Sequence, residues 1–283
     1  MNKILKKHKI ARLVVTGKQY DECGKPNYSE LEKLIDKFLA SEYNNTTYEF
    51  IVTPGGFLTF DFPDSLQYKL NISKAEEESV SLLQEEAKTE IEKFFKRINS
   101  LTFKKIKETA VYFTIGIDGS NTAKRKIELV AVYDLKEEEV IKWTGKFYPT
   151  PTEVQKRNLI KINDLDTHFI ELNNQKVVIL GFHDLNVFSP RGQSVAKEKK
   201  RKLANDFKNL CKKFEPEIIL QHPHTTDVPR IWNSAWQAVI KELPSVKHFA
   251  SGIKYYRKEG TRGDIGKVLE KTKRGDVKDF MYD

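Results

Sequence analysis

The sequence predicts an α/β fold in which helices cover two β-sheets. Segments of strand length alternate with segments of helical spacing from end to end. No stretch is linker-like or of low complexity, and no repeat of fixed period is present. With 283 residues the chain is long enough to bury one large core. We therefore expect one domain over residues 1–283, with a core at about 10–260 and a C-terminal tail at 261–283.

Runs rich in β-branched and apolar residues predict the strands. The run at 177–180 is uninterrupted, as in a strand that is buried on both faces. The predicted strands lie at 10–16, 48–53, 110–117, 126–133, 143–146, 169–172, 177–180 and 217–221. Between two of them, the residues Asp-Gly-Ser-Asn at 118–121 predict a turn.

Apolar residues that recur three and four positions apart predict the helices. Leu31, Leu34, Ile35 and Phe38 form one such stripe, and similar stripes cover 83–98, 203–214 and 232–240. Cys211 lies on or beside the stripe at 203–214, so we expect it to pack in the core. The last of these helices should begin just after Pro229.

Composition and charge limit the classes of function. The formal charge of +9 suggests a nucleic-acid partner, but the basic residues are spread along the chain and interleaved with Glu. This pattern disfavours nucleic acid without excluding it. Two cysteines, Cys23 and Cys211, argue against a disulfide framework and favour a reducing compartment. Because neither a signal peptide nor a membrane span is evident, we expect a cytoplasmic protein without membrane contact.

Polar residues follow the apolar run at 177–180, where the predicted strand ends. Phe182, His183, Asp184 and Asn186 all lie within six residues after Gly181. Ligands in α/β folds bind beyond the carboxyl ends of strands, so this turn is the candidate site. Arg191 follows a Ser-Pro helix start and could bind a carboxylate or phosphate there, although a structural salt bridge explains it equally well.

A second polar segment follows the predicted strand at 217–221. It contains His222, His224 and Asp227, and if the two strands are neighbours these residues would lie close to His183. Imidazoles and carboxylates in this mixture suit Zn²⁺ or a comparable divalent metal. The alternative is that the histidines form hydrogen bonds in a pocket wall or loop.

The order of these signals resembles the carbon–nitrogen hydrolase (nitrilase) superfamily over roughly residues 10–260. Three segments carry the resemblance: Pro54-Gly55-Gly56 after an early strand, Lys146 with Pro149, Pro151 and Glu153, and the strand that leads into Phe182. The resemblance implies an αββα sandwich, often assembled from identical chains, that requires no cofactor. It also implies a Glu base, a Lys that stabilises the intermediate, a Cys nucleophile and a supporting Glu.

Two of the residues that the resemblance requires are replaced in this sequence. Gly55 stands in the place of the general base, and Phe182 stands in the place of the nucleophile. Glycine cannot accept a proton, and a phenyl ring cannot attack a carbonyl carbon. Lys146, Glu153 and Asp184 carry over as candidate catalytic residues.

The candidate site residues come from the polar segments at the strand ends and from the family resemblance. The expected catalytic residues are Lys146, Glu153, His183 and Asp184; the expected binding residues are Gly55, Phe182, Asn186, Arg191 and Trp232; the candidate metal ligands are His183, His222, His224 and Asp227.

Three hypotheses for the function remain open. The first is a nitrilase-fold protein that has lost its thioester chemistry and binds a small molecule or serves as a partner subunit. The second is a hydrolase whose histidines bind a metal or act as acid and base. The third is a basic protein associated with nucleic acid. The alignment predicts that Phe182→Cys together with Gly55→Glu creates a thiol sensitive to iodoacetamide.

Overall fold

The computed structural model describes residues 5–21, 25–63, 75–122, 124–156, 158–190, 198–256 and 260–282. The strands in this part of the chain are β1 (Lys6–Val15), β2 (Thr46–Val52), β3 (Leu58–Asp61), β4 (Ala110–Ser120), β5 (Lys126–Asp134), β6 (Glu139–Gly145), β7 (Leu159–Ile160), β8 (Phe169–Leu172), β9 (Gln175–Leu180), β10 (Ile218–Gln221), β11 (His248–Ser251), β12 (Ile253–Lys254), β13 (Lys273–Arg274) and β14 (Val277–Met281). The helices are α1 (Tyr28–Glu42), α2 (Ala75–Arg97), α3 (Ser100–Thr109), α4 (Pro151–Lys156), α5 (Glu198–Phe214), α6 (Pro229–Glu242) and α7 (Ile265–Lys271).

These strands form two sheets. The first has the order β12-β1-β2-β4-β5-β6, with β14 also paired to β1, β3 to β4 and β7 to β5. The second has the order β13-β11-β10-β9-β8. Strands β9, β10 and β11 are parallel, so their carboxyl ends lie at the same edge of the second sheet.

Apolar clusters hold the layers together on both faces of each sheet. Ile10 and Phe50 of the first sheet pack against Val177 and Ile179 of the second, so the two sheets lie face to face. The opposite face of the first sheet packs against α1, α2 and α3, and that of the second sheet packs against α5 and α6. The chain is therefore an αββα sandwich, as predicted.

Strand β9 shows why the sequence pattern was informative. Val177 and Ile179 face the core between the sheets, whereas Val178 and Leu180 face the outer core, and all four are fully buried. An uninterrupted apolar run is what a strand covered on both faces requires. The other predicted strands and helices are also present, with ends shifted by a few residues.

The segment that we expected as a C-terminal tail belongs to both sheets. Strand β13 pairs with β11, and β14 runs parallel to β1. The fully buried Arg12 of β1 fixes this segment, because it donates hydrogen bonds to Asp279, to both oxygens of Thr272 and to the backbone oxygen of Leu269. No helix in the described ranges is long and apolar enough to cross a membrane.

Candidate functional site

The turn after β9, Lys146 and the loop after β10 meet at one place. The Nζ atom of Lys146 lies 4.8 Å from the centroid of the Phe182 ring. The imidazole of His224 also contacts that ring, with a centroid distance of 4.2 Å. The parallel pairing of β9 and β10 produces this proximity, because it places both loops at the same sheet edge.

Lys146 is fully buried and is neutralised by two carboxylates. Its Nζ atom donates a hydrogen bond to Glu153 Oε1 at 2.7 Å and lies 2.9 Å from Glu128 Oε2. A second lysine, Lys126, pairs with the same two carboxylates at 2.6 and 2.8 Å. The inner end of the site is thus a cluster of two cations and two anions, as a buried ion-pair network requires.

The ionisation of Glu153 follows from these contacts. Burial opposes the charged form, but hydrogen bonds from Lys126 and Lys146 outweigh it and lower the pKa of Glu153 to about 2. A backbone hydrogen bond from Thr150 to Glu153 Oε2 at 2.8 Å acts in the same direction. The position of Glu153 beside Lys146 agrees with the expectation from sequence.

The outer end of the site contains an ion pair that the sequence analysis did not anticipate. His224 Nε2 lies 2.8 and 2.7 Å from the two carboxylate oxygens of Asp118. Burial alone would lower the pKa of His224, but the charges of Asp118 and Glu128 outweigh it and raise that pKa. The turn predicted at 118–121 was wrong except at its last residue, because β4 continues to Ser120, and within it Asp118 pairs with Glu128 of β5.

Gly55 lies beside His224 and has no room for a side chain. A Cβ atom there would lie 2.7 Å from the backbone oxygen of His222 and 2.8 Å from His224 Cδ2. The imidazole of His224 therefore takes the space next to residue 55. The predicted double substitution with Gly55→Glu needs correction for this reason, because a glutamate at this position would collide with the loop after β10.

Asp184 anchors the turn rather than facing the space around Phe182. One of its oxygens accepts hydrogen bonds from the backbone amides of Phe147 and Tyr148, and the other accepts one from Gly181. The side chain is fully buried, and burial raises its pKa to about 7. These contacts give Asp184 a structural role, which is to join the turn after β9 to the segment after β6, and the catalytic role expected for it stays a prediction.

His183 and Asn186 lie together on the other side of Phe182. The side-chain amide of Asn186 is 3.2 Å from His183 Nδ1, and the His183 ring is 3.9 Å from the Phe182 ring. Burial and the charge of Lys146 lower the pKa of His183 to about 3. His183 is therefore neutral at physiological pH and carries no charge that a ligand could pair with.

The four candidate metal ligands do not form a ligand set. Among the residues that the structure describes, no three His, Cys, Asp or Glu side chains are placed to hold a metal ion. His222 is almost fully buried, and burial lowers its pKa to about 3. His224 is engaged by Asp118, and Asp227 lies beside Gly263, whose Cβ would be 2.7 Å from the Asp227 backbone oxygen.

One of the predicted binding residues is not at this site. Trp232 packs in the outer core between the second sheet and the helices, so the structure does not support the binding role expected for it. Arg191 lies outside the described residues, as does Cys23.

A buried chain of hydrogen bonds supports the Phe182 turn from the outer core. Trp236 donates to Ser251, the Ser251 hydroxyl donates to Gln221, and the Gln221 amide donates to the Phe182 backbone oxygen at 3.1 Å. All three side chains are fully buried. The neighbouring Trp236, and not Trp232, thus connects helix α6 to the site.

The site is closed. The space between Gly55, Asp118, Glu128, Phe182 and His224 is too small to hold a water molecule. The Phe182 ring fills the position between Lys146 and His224, and it is only partly buried, so it forms the outer cover of the site.

Sequence reasoning missed Asp118 and Glu128. Glu128 interrupts the apolar run of β5 and is almost fully buried. A carboxylate inside a buried strand needs a charged partner, so this interruption was a usable signal. Asp118 gave no such signal, because Asp-Gly is also the common sequence of a turn.

Comparison with solved structures gives low sequence identity and an extensive structural match. A cysteine-to-alanine variant of the amidase from Nesterenkonia sp. AN1, in complex with butyramide, matches 87% of this chain and 77% of its own length, with a TM-score of 0.50 and 10% identity. A glutamate-to-leucine variant of that amidase, with an acetamide moiety on its active-site cysteine, matches with the same TM-score and identity, over 87% of this chain and 76% of its own.

The Nesterenkonia amidase is a nitrilase-superfamily protein. This chain has the nitrilase fold. The resemblance stated from sequence is thereby confirmed at the level of the fold. Comparisons with protein-family models and with curated proteins find no match.

A longer protein also matches this chain over part of its length. The glutamine-dependent NAD⁺ synthetase from Acinetobacter baumannii, bound to ADP, matches with a TM-score of 0.42 and 12% identity over 79% of this chain. This chain spans about a third of the synthetase's length, with 34% of it covered.

Proposed function

We propose that the chain is a nitrilase-fold protein that binds a small molecule and does not perform thioester chemistry. The position of the Phe182 ring, 4.8 Å from Lys146 Nζ, carries this proposal. The resemblance places a nucleophilic cysteine there, and a phenyl ring cannot replace it. The thiol of Cys211 offers no substitute, because it is fully buried in the outer core and burial raises its pKa.

The walls of the site favour a small polar ligand over a protein partner. Asp118, Glu128 and His224 line the space beneath Phe182, where Glu128 is almost fully buried and the other two side chains are partly buried. These polar groups surround a space that is too small for a folded partner. Phe182 is only partly buried and can rotate outwards at a modest cost. A ligand would then occupy the position of the ring, next to Lys146 and His224.

Butyramide, which the similar amidase variant binds, is a suitable probe. We expect Phe182→Ala to bind butyramide more tightly than the native protein by a factor of about ten, because the ring no longer fills the site. Ligand-observed NMR measures the binding. Phe169→Ala, which removes a partly buried ring from the outer core, is the matched control and should leave the binding unchanged.

Two results would contradict the proposal. If Phe182→Ala gains no butyramide binding, the site does not receive small molecules. If the native protein releases ammonia from butyramide, and Lys146→Met abolishes that release, the protein performs amidase chemistry.

Three weaker proposals carry over from the sequence. A metal-dependent hydrolase would be supported by stoichiometric zinc or manganese in the purified protein, although the described residues provide no ligand set. A nucleic-acid partner would be supported by RNA or DNA binding that falls steeply with salt. Assembly of identical chains would be supported by a dimer mass in light scattering.

A further inference from the structure

The Asp118–His224 pair is built into the site by its glycine neighbours. A Cβ at Gly55 would lie 2.8 Å from His224 Cδ2, and a Cβ at Gly56 would lie 2.8 Å from Asp118 Oδ2. Gly56 also has a positive φ of 63°, which side chains with a Cβ seldom adopt. Two consecutive glycines thus leave the room that the two ionisable side chains occupy.

Asp118 fixes which nitrogen of the imidazole faces the site. Both carboxylate oxygens of Asp118 lie within 2.8 Å of His224 Nε2, so that nitrogen carries a proton directed at Asp118. The other nitrogen, Nδ1, faces Glu128 Oε1 at 4.0 Å, which is too far for a hydrogen bond. Nδ1 is therefore the nitrogen that can contact a ligand.

The surrounding charges determine whether Nδ1 carries a proton that it can donate to a ligand. Asp118 and Glu128 are on opposite sides of the ring, and both favour the imidazolium over the neutral imidazole. On the inner side, Lys146 and Lys126 are already neutralised by Glu128 and Glu153. The imidazolium is thus the donor that this site has available for an incoming acceptor.

We propose that His224, oriented by Asp118, is a ligand-binding group that donates a hydrogen bond from Nδ1 to an acceptor oxygen of a small molecule. This inference rests on the proposed function, since it names the residue that would bind the ligand at the same site. The ligand oxygen reaches Nδ1 when the Phe182 ring, 4.2 Å from the imidazole, moves outwards. No transfer of a proton is required, because the imidazolium acts as a charged donor.

A thiol introduced at residue 182 can show, without any ligand, whether the His224 ring is positively charged. In Phe182→Cys, a charged His224 should stabilise the thiolate and lower its pKa by at least one unit relative to Phe182→Cys/His224→Asn. Alkylation by iodoacetamide at pH 6.5 should then be about tenfold faster in the single variant, in proportion to the thiolate fraction. Peptide mass spectrometry distinguishes residue 182 from the native Cys23 and Cys211. Equal alkylation profiles in the two variants would overturn the inference.

A second measurement uses the protein without changing Phe182. The ordinary pKa of a histidine side chain is 6.5, and in NMR spectra of ¹⁵N-histidine-labelled protein the His224 ring should remain protonated above this pH. In Asp118→Asn the same ring should titrate at lower pH. The missing resonance in His224→Gln assigns the signal. If the native His224 is neutral at pH 6.5, the donor role is excluded. That result would leave butyramide binding in Phe182→Ala unaffected, so failure of this inference and failure of the proposed function are distinguishable.

Discussion

Residue 55 is a position at which the site differs from the nitrilase pattern. The sequence comparison identified only the loss of a carboxylate at this position. The structure adds the physical reason, because the loop after β10 passes so close to Gly55 that a Cβ would lie 2.7 Å from the His222 backbone oxygen. Backbone atoms cannot move away as easily as the end of a flexible side chain, so glycine is required here.

We therefore predict that Gly55→Ala destabilises the protein. The added methyl group must displace the backbone at His222 and the ring of His224, which should cost about 1–3 kcal/mol of unfolding free energy. Urea denaturation followed by circular dichroism measures this loss. Gly266→Ala is the matched control, because its Cβ would only approach the Asp264 side chain at 3.2 Å. A Gly55→Ala protein as stable as the control would show that the loop does not pack against residue 55.

The lowered pKa of Glu153 predicts how the stability of the protein depends on pH. This pKa is lowered from 4.5 to about 2 in the folded protein, so the folded state binds fewer protons than the unfolded state as the pH falls below 4.5. The stabilisation by Glu153 is complete above this pH and is lost progressively towards pH 2. The free energy of unfolding of the native protein should exceed that of Glu153→Gln by about 2 kcal/mol at pH 7. This difference should shrink below pH 4.5. A difference that does not change with pH would contradict the ion pairs with Lys126 and Lys146.

Sequence reasoning located some of these residues and missed others for physical reasons. Lys146 and Phe182 could be located because they follow runs of strand residues, whose ends are visible in the apolar pattern. His224 was found, but its partner was not. Asp118 belongs to a strand distant in sequence, and only the folded sheet brings the two together. Long-range pairs of this kind leave no local signal.

At the scale of elements, the C-terminal segment gives the clearest prediction. Strand β13 contains only Lys and Arg, and the apolar residues of β14 are interrupted by charged ones, so the sequence pattern resembled a polar tail. Phe280 of β14 packs in the core against Phe38 and Tyr48. The buried Arg12 adds a polar attachment, because it pairs with Asp279 at 2.6 Å and binds backbone oxygens of residues 251, 269 and 272. A buried guanidinium with this many partners adds charge-assisted hydrogen bonds to the apolar contacts of the segment.

Arg12→Met should destabilise the protein by about 3–5 kcal/mol, because it leaves a partly buried carboxylate and several buried carbonyls without their donor. Urea denaturation measures the loss, and hydrogen exchange should show faster exchange of β14 amides. Glu270→Gln, which removes an exposed pair with Lys271, is the control and should have no measurable effect. An Arg12→Met protein with native stability would mean that the segment is held by other contacts.

At the scale of the whole molecule, three apolar layers determine where the site lies. The core between the sheets and the two outer cores fix the distance between β9, β10 and the end of β6, so the loops that follow these strands converge. The alternation of layers was predictable, because it needs only the spacing of apolar residues. The closure of the site by Phe182 was not predictable in detail, because it depends on contacts among three loops.

The central claim is that the Phe182 ring closes the site against His224 and Lys146. The most direct measurement is the nuclear Overhauser effect between the ring protons of Phe182 and His224, in protein labelled on phenylalanine and histidine. With a centroid distance of 4.2 Å, we predict a strong cross-peak that disappears in Phe182→Leu. A native protein without this cross-peak, in which the Phe182 ring shows the averaged shifts of a solvent-exposed side chain, would contradict the account.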